Sequence, residues 1–476
     1  MRPPRGLLVA GCALMWLLAG CATRPVNPPI ERADHAVGYR FETREQYRRD
    51  HDNLLVLAFS GGGTRAAAFS YGVLEALRDI RLEPPGGPPR RGLDEIGIIA
   101  GVSGGSFTAL AFGLYGDRLF DDYERRFLKR DVEGELLRRL VNPVHWGSLS
   151  QGDWGRSDLA ADYYDEILFE GGTFGDLVRG RGPMIIASAT DISTGARFYF
   201  TQAMFDVMCS DLSRVRLSRA AAASSAVPVV LSPVTLNNYG GSCGFRPPPW
   251  TQSIMDAGVP APPAARALRE YIELLSYGDG RARPYIHLVD GGIADNIGMR
   301  GILDAMHLVQ ALRLAGRPTP LDRVKRIAVI VVDSHTNPKT DWDRSPDTPG
   351  PFDQLMQATG VPIEHYSFES VETLRDMAAR WRMLRAIRDS GAISDPANPA
   401  LVEVMRVPDT EVYVVDVSFA AVADAAERDY LNALPTSLVL SPEAVDRLRA
   451  AAAKAVAGSA EFRRFLRDAG YVVERE

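Results

Sequence analysis

Short apolar runs recur along the chain, separated by polar or proline-rich stretches. They are rich in valine, isoleucine and leucine, do not alternate with polar residues, and cover residues 54–59, 96–100, 184–188, 285–289, 326–332 and 411–415. Such runs are typical of strands buried on both faces of a sheet. Helix-like stretches follow the first two runs, and in one of them Phe69, Val73 and Leu77 share a face. This order predicts an α/β fold with a mostly parallel central sheet flanked by helices.

The N-terminus has the pattern of an export signal. Two positive charges, Arg2 and Arg5, precede an apolar stretch over residues 6–20. A stretch of this length after positive charges is typical of a secretory signal peptide and is short for a membrane-spanning helix. We therefore expect residues 1–20 to be removed on export.

The apolar stretch ends in Leu-Ala-Gly-Cys, which resembles the lipobox of bacterial lipoproteins. The resemblance implies a lipoprotein signal peptide and several acyl chains, palmitate among them, on Cys21. Residues 21–53, which begin with a proline-rich stretch, would then form a lipidated tether. Ala22 stands where aspartate would favour the inner membrane, so we expect an exported protein anchored to the outer membrane and facing the periplasm. The alternative is an ordinary signal peptide with an incidental cysteine.

Composition narrows the function classes. Apolar residues make up 46% of the 476 residues, and the net charge of −6 gives no basic footprint for nucleic acid. No later stretch of 18 apolar residues follows, so we expect no transmembrane span. Of the four cysteines, Cys12 would leave with the signal peptide, and Cys209 and Cys243 are candidates for a disulfide in an oxidising compartment. Two buried free thiols are the alternative.

One catalytic domain is predicted over residues 54–440. Within it, residues 237–283 form an insertion that could act as a lid, because its first part is rich in glycine and proline. The stretch 265–275 has apolar residues at helical spacing, so it could enter a bilayer, cover the site or pack on the core. Residues 441–476 are predicted to be a helical tail of the same domain, with Ser441 as its N-cap.

A G-x-S-x-G pattern surrounds Ser103. It lies between the apolar run at 96–100 and a helix-like stretch at 106–115, which is the context of a nucleophile elbow. Gly101 and Gly105 flank the serine because the backbone turns sharply there and strand and helix approach closely. Ser103 is therefore the candidate nucleophile.

The same pattern occurs a second time at residues 240–244, around Ser242. No buried strand is predicted at residues 236–239 before it, and the prolines after it are poor helix starters. We interpret Ser242 as a loop serine.

A glycine-rich segment, Ser-Gly-Gly-Gly-Thr-Arg, covers residues 60–65 between a predicted strand and a predicted helix. The N–H groups of Gly61, Gly62 and Gly63 would be unobstructed at a helix N-terminus, where they could hold an oxyanion or a phosphate. A flexible turn is the alternative. Nucleotide binding is not indicated, because the Gly-Lys-Ser/Thr sequence of a P-loop is absent.

An Asp-Gly-Gly sequence, starting at Asp290, follows the apolar run at 285–289. An aspartate at the C-terminal end of a strand lies on the edge where α/β sheets bind ligands. The alternative is a turn in which aspartate and glycine only end the strand.

Together, G-G-G-x-R, G-x-S-x-G and D-G-G in this order resemble the patatin-like phospholipases. Residues 190–195 and 222–228 match the family further. Ala66, where many members have glycine, and the long insertion depart from it. The resemblance implies a three-layer α/β sandwich with a mostly parallel central sheet.

The resemblance also implies a serine esterase acting on phospholipid, lysophospholipid or neutral lipid. Ser103 would attack an ester carbonyl to form an acyl-enzyme, and Asp290 would take its proton directly. The oxyanion hole would consist of Gly61, Gly62 and Gly63.

The remaining site residues are predicted to support the dyad. Arg65 would brace the glycine loop or face a lipid phosphate. The supporting glycines would be Gly101, Gly105, Gly291 and Gly292. No metal or cofactor is required; membrane lipids would be both substrate and anchor, nucleic acid would not be a partner, and the sequence identifies no protein partner.

Two alternatives belong to other classes. Ser103, Asp290 and His335 occur in the order of an α/β-hydrolase triad, in which a histidine stands between serine and aspartate. A non-catalytic lipoprotein of the outer membrane that binds lipid or protein is the second alternative. The presence of both Ser103 and Asp290 argues against it.

Overall fold

A computed structural model of the chain describes residues 25–44, 52–84, 87–144, 154–247, 264–336, 342–344, 346–395, 398 and 401–473. The predicted signal peptide and Cys21 lie outside these residues, as do residues 22–24 and 45–51 of the predicted tether. Among the described residues, no helix is long and apolar enough to cross a membrane.

A mixed sheet forms the centre of the fold. In chain order the strands are β1 (Asn53–Phe59), β2 (Arg81–Glu83), β3 (Arg90–Arg91), β4 (Ile96–Val102), β5 (Met184–Asp191), β6 (Arg197–Tyr199), β7 (Val234–Asn237), β8 (Tyr285–Asp290), β9 (Arg326–Asp333), β10 (Glu411–Ser418) and β11 (Val472–Val473). The sheet order is β10-β9-β1-β4-β5-β8-β7, with β6 paired to β5, and β11-β2-β3 form a separate small sheet. Five neighbouring strands run parallel, namely β10, β9, β1, β4 and β5. Strands β6, β7 and β8 pair antiparallel with their neighbours.

Helices cover both faces of this sheet. They are α1 (Gly63–Asp79), α2 (Gly104–Tyr115), α3 (Leu119–Tyr123), α4 (Val132–Val141), α5 (Arg156–Tyr164), α6 (Phe174–Arg179), α7 (Gln202–Val207), α8 (Leu217–Ser224), α9 (Ala264–Leu275), α10 (Gly292–Asp295), α11 (Met299–Leu314), α12 (Pro351–Asp389), α13 (Val402–Met405), α14 (Ala425–Asn432), α15 (Pro442–Gly458) and α16 (Ala460–Asp468). Helices α1, α2, α8 and α15 pack on one face, and α11 and α12 on the other. The predicted three-layer α/β sandwich is confirmed.

The central strands are buried on both faces, as their apolar runs predicted. In β1, Leu55, Leu57 and Phe59 pack in the larger core beneath α1 and α15. Val56 and Ala58 point to the opposite core, beneath α11 and α12. Because both sets of side chains meet apolar helices, neither face of the strand can be polar.

The antiparallel end of the sheet differs from the sequence prediction. Residues 236–239 were not expected to contain strand, yet β7 ends at Asn237, and Val234 and Leu236 are buried. The run at 285–289 was expected to be a parallel strand buried on both faces. It forms β8, in which the exposed Tyr285 and His287 alternate with buried residues. Antiparallel strands such as β8 can bury one face only, so exposed and buried residues alternate along them. Strand β7 has four residues, which are too few to show this alternation clearly in the sequence.

The predicted insertion and tail are both packed against the domain. Helix α9 lies on α11, and between them is a cavity of about 250 Å³ lined in part by Leu268, Tyr271 and Leu274. The helix in the described part of the insertion is therefore packed on α11. In the tail, Ser441 Oγ accepts a hydrogen bond from the Ala444 N–H, 3.2 Å, which is the expected N-cap of α15.

Candidate active site

Ser103 occupies a sharp turn between β4 and α2. Its backbone angles are φ 48° and ψ −120°, a conformation that residues with a side chain rarely adopt. The Ser103 N–H donates to Ser224 Oγ, 2.9 Å, so the turn is held from α8. The predicted strand–turn–helix context is present, and the serine lies at the carboxyl edge of the parallel strands.

The hydroxyl of Ser103 donates directly to a carboxylate. Ser103 Oγ lies 2.9 Å from Asp290 Oδ2, although the two residues are 187 positions apart, and each residue is 7% exposed. Serine and aspartate are thus brought together without an intervening group. A pair of this kind can deprotonate the hydroxyl as it attacks an electrophile.

Asp290 reaches the serine by a route that the sequence did not predict. Strand β8 is antiparallel to β5, and Asp290 pairs with Ala189, one residue beyond the level at which Val102 pairs with Ser188. Strand β8 therefore begins beyond the carboxyl ends of the parallel strands, runs in the opposite direction and ends level with Ser103. The expectation that Asp290 lies on the ligand-binding edge is met, but by an antiparallel strand.

Burial dominates the electrostatics of Asp290. It raises the pKa of the carboxyl from its ordinary 3.8 to about 6, while hydrogen bonds from the Gly292 N–H and the Ser103 hydroxyl oppose this effect. The Gly292 N–H to Oδ1 distance is 2.8 Å. One carboxyl oxygen is thus fixed by the turn and the other faces the serine, so the carboxylate is oriented for one task.

The glycine loop lies against Ser103, but the N–H groups of its three glycines are not equivalent. The Gly61 N–H donates to the Asn296 carbonyl at 2.8 Å, so the prediction that it belongs to the oxyanion hole is wrong. Among the described residues, none accepts from the N–H of Gly62 or Gly63. A Cβ built on Gly104 would lie only 2.8 Å from the Gly63 nitrogen. The two unengaged amides therefore lie beside the serine, at the N-terminus of α1.

Arg65 braces this loop from within the protein. Its guanidinium donates to the Ser334 and Leu434 carbonyls, both at 2.8 Å, and to Thr436 Oγ1 at 3.0 Å. Burial lowers its pKa to about 10, and Asp333 opposes that effect. The bracing role fits these contacts; the alternative of an Arg65 that faces a lipid phosphate does not, because the guanidinium is turned toward protein oxygens.

The supporting glycines lie where backbones approach closely. A Cβ on Gly105 would come within 2.6 Å of the Ser60 carbonyl, and one on Gly291 within 2.5 Å of the Ser188 carbonyl. Gly101 and Gly292 are similarly confined by neighbouring atoms. A side chain at Gly101 or Gly105 would displace the serine turn, and one at Gly291 or Gly292 would displace the aspartate turn.

Three polar residues that the sequence left without a role contact the site. Ser224 holds the Ser103 N–H, and Thr190 Oγ1 donates to the Asp290 carbonyl, 2.9 Å. Asn296 joins the aspartate turn to the glycine loop through its carbonyl. The signal for the first two was their place in the matching segments 190–195 and 222–228, and Asn296 closes the third motif.

The predicted alternatives do not assemble at this site. The imidazole of His335 lies against Glu364, with Nε2 3.8 Å from Oε2, while the Ser103 hydroxyl contacts Asp290. Ser242 lies in a loop, where its N–H donates to the Tyr239 carbonyl. Within the described part of the chain, no group of three or more His, Cys, Asp or Glu side chains is arranged to hold a metal ion.

The two cysteines of the predicted pair are joined. Cys209 and Cys243 form a disulfide with a Cα–Cα distance of 5.4 Å. The bridge closes the loop that follows β7 onto the end of α7. Cys21, the predicted lipidation site, lies outside the described residues.

A buried serine–aspartate pair lies on a strand–turn–helix elbow, beside a glycine-rich helix N-terminus. The family model of patatin-like phospholipase matches residues 57–303, which is more than half of the chain. The chain belongs to this family, and membership supports a lipid hydrolase activity. No curated protein matches the chain at a significant level.

Solved structures with a related arrangement include human GIVD cytosolic phospholipase A2. It is 13% identical, with a TM-score of 0.44, over 95% of this chain and 66% of that protein. The same enzyme in complex with methyl gamma-linolenyl fluorophosphonate is 14% identical, with a TM-score of 0.41, over 88% of this chain and 60% of the other. This chain thus spans less than two thirds of the length of the enzyme.

Proposed function

We propose that the chain is a lipid acyl hydrolase of the phospholipase A or lysophospholipase type, which uses a Ser103–Asp290 dyad and an acyl-enzyme. The observation that carries the proposal is the 2.9 Å hydrogen bond from Ser103 Oγ to Asp290 Oδ2 in a buried site. Membership in the patatin-like phospholipase family supports a lipid ester as substrate.

In the first step, Ser103 Oγ attacks the carbonyl carbon of the ester while its proton passes to Asp290. The carbonyl oxygen becomes an oxyanion, and it is stabilised by the N–H groups of Gly62 and Gly63, which donate to none of the described residues. The ester C–O bond then breaks, and the leaving alcohol takes the proton from Asp290. The acyl group remains on Ser103 as an ester.

In the second step, a water molecule attacks this acyl-enzyme and gives its proton to Asp290. The tetrahedral intermediate releases the fatty acid, and the proton returns to Ser103 Oγ. A carboxylate with an ordinary pKa is a weak base for either attack. Burial raises the pKa of Asp290 to about 6, and a base with a pKa nearer to neutrality is more effective.

A fluorophosphonate probe tests the nucleophile. The probe is expected to label the wild type but not Ser103→Ala. The Ser242→Ala variant, which lacks the serine of the second G-x-S-x-G pattern, is the matched control and should still be labelled. Hydrolysis of a short-chain ester should follow the same pattern. A wild type that the probe does not label would favour the non-catalytic binding lipoprotein. Label retained in Ser103→Ala would place the nucleophile elsewhere.

Products from mixed lipids identify the substrate. Mass spectrometry of a phospholipid and lysophospholipid mixture is expected to show free fatty acid with wild type and none with Asp290→Asn. If an acyl ester of another alcohol accumulates instead of fatty acid, the acyl-enzyme is resolved by an acceptor other than water, and the protein is an acyltransferase.

The proposed location is the outer membrane, with the chain exported, lipidated on Cys21 and facing the periplasm. The Leu-Ala-Gly-Cys sequence supports this location, and so does the Cys209–Cys243 bridge, because disulfides persist in oxidising compartments. Growth with labelled palmitate is expected to label wild type and Cys12→Ala but not Cys21→Ala. Palmitate on the Cys21→Ala variant would contradict the assignment.

A further inference from the structure

The segment that follows Cys21 is fastened to the domain almost at once. Asn27 is 3% exposed, and its side-chain amide donates to Ser210 Oγ at 2.8 Å and to the Asn237 carbonyl at 2.9 Å. Its Oδ1 accepts from the Asn237 N–H, 2.8 Å, and Tyr239 donates to its carbonyl, 3.0 Å. The chain is therefore attached to the domain from Asn27 onward, and β7 is the point of attachment.

Strand register places this attachment on the same edge of the sheet as the nucleophile. Asp290 is level with Ser103, and β8 extends from there beyond the parallel strands as far as Tyr285, which pairs with Asn237. The five residue-to-residue steps from Asp290 to Tyr285 span about 17 Å at the rise of an extended strand. Asn27 thus lies beyond Ser103 along the direction in which the active-site edge faces.

The short tether, here residues 22–26, limits by its length where a lipidated Cys21 can be. Five residues separate Cys21 from Asn27, and the six Cα–Cα steps between them span at most about 20 Å. An anchor of that reach cannot hold the domain by its opposite edge. The bilayer surface that receives the acyl chains must lie next to the β7–β8 end.

Exposed apolar side chains occur on this same edge. Ile192, whose N–H donates to the His287 carbonyl, lies beside β8, and Val26 adjoins Asn27. The loop after α8 carries exposed valines and abuts the dyad, because the Asp290 N–H donates to the Ala226 carbonyl, 3.0 Å. We define the docking edge as the exposed residues Val26, Ile192, Val229, Val230, Tyr285 and Ile293.

We propose that the docking edge rests on the bilayer in which the lipid of Cys21 is inserted, so that the short tether holds the mouth of the Ser103 site against that membrane. This inference rests on the proposed lipid anchor and does not require hydrolysis. Apolar side chains that enter the headgroup region strengthen an acyl anchor, because burial of apolar area adds to the affinity.

Photo-crosslinking from matched positions tests this orientation. Val230 on the docking edge and Val472 are almost equally exposed, at 61% and 60%. Val472 lies at the opposite edge of the domain. Helix α1 begins at the glycine loop beside Ser103, β2 follows the other end of that helix, and β11, which contains Val472, pairs with β2. Each is replaced by p-benzoylphenylalanine in the full-length lipidated Ser103→Ala protein, which is reconstituted in phosphatidylethanolamine–phosphatidylglycerol vesicles and irradiated.

We expect lipid adducts at position 230 to exceed those at position 472 by about tenfold, since only side chains held within the headgroup layer meet acyl chains. Equal yields, a higher yield at 472, no lipid adduct at 230, or adducts to protein alone would each overturn the proposal. Because the serine is absent from this protein, the result is independent of the proposed hydrolase. Adducts at 230 together with an inactive wild type would retain the orientation and reject the enzyme.

Discussion

Replacing Asp290 with asparagine is expected to stabilise the fold at neutral pH while it removes the proposed base. The asparagine oxygen can still accept from the Gly292 N–H, and its amide can donate to Ser103 Oγ, so both hydrogen bonds have a replacement. The main change is the loss of a buried negative charge. That charge is unfavourable because burial dominates the rise in the pKa of Asp290.

The magnitude follows from linkage. The pKa of Asp290 is raised from 3.8, its ordinary value, to about 6, so the folded state binds this proton more tightly than the unfolded chain. Its contribution to stability is therefore fully present below about pH 4 and is lost as pH rises to about 6. The loss corresponds to on the order of 3 kcal/mol in wild type at neutral pH, and the Asp290→Asn variant does not suffer it.

Urea unfolding of both proteins near pH 4 and near pH 7.5 measures the effect. The variant should be more stable by about 2–3 kcal/mol near pH 7.5, and the difference should shrink toward zero near pH 4. Asp295, whose pKa burial also raises to about 6, is present in both proteins and cancels in the comparison. A variant that is less stable at neutral pH, or a difference that does not depend on pH, would refute the reasoning.

Three further predictions concern the rate, the loop and the bridge. Ester hydrolysis should fall about tenfold per pH unit below about pH 6, because only ionised Asp290 can take the serine proton, and a flat profile from pH 5 to 7 would exclude it as the base. Gly63→Ala should lower kcat by about 100-fold or more, since the new Cβ would lie 2.2 Å from a backbone carbonyl. Gly116→Ala, also at positive φ but with nothing within 4 Å, is the matched control, and an equal loss there would contradict a loop-specific effect. Cys209→Ser should cost about 2–4 kcal/mol in urea unfolding by opening the bond to Cys243, and the difference should disappear when wild type is reduced; a persistent difference would point to packing.

The sequence predicted the central part of the site because its chemistry is attached to strand ends. Ser103 and the glycine loop follow β4 and β1, which are parallel neighbours, so their carboxyl ends meet wherever the sheet forms. Asp290 was assigned to the same edge for the same reason, although β8 is antiparallel. The assignment succeeded because the strand ends level with the serine, which local sequence does not encode.

Long-range contacts explain what the sequence did not predict. Whether the Gly61 N–H is free depends on Asn296, and the partners of Arg65 lie 269 or more residues away along the chain. Glycine spacing shows that backbone amides are accessible, but the docking of distant loops decides which of them stay unpaired. Residues 351–389 likewise form one long helix, α12, although Pro362 lies inside it. The apolar residues of this segment do not recur strongly at helical spacing, so the sequence did not predict the helix.

The most direct test of the dyad compares two variants on one soluble ester. With Ser103 and Asp290 in direct contact and His335 beside Glu364, Asp290→Asn is expected to lose at least about a thousandfold in kcat. His335→Ala should stay within about twofold of wild type, because its side chain has no part in the proton transfer. If His335→Ala abolished hydrolysis while Asp290→Asn retained it, the two-residue mechanism would be contradicted.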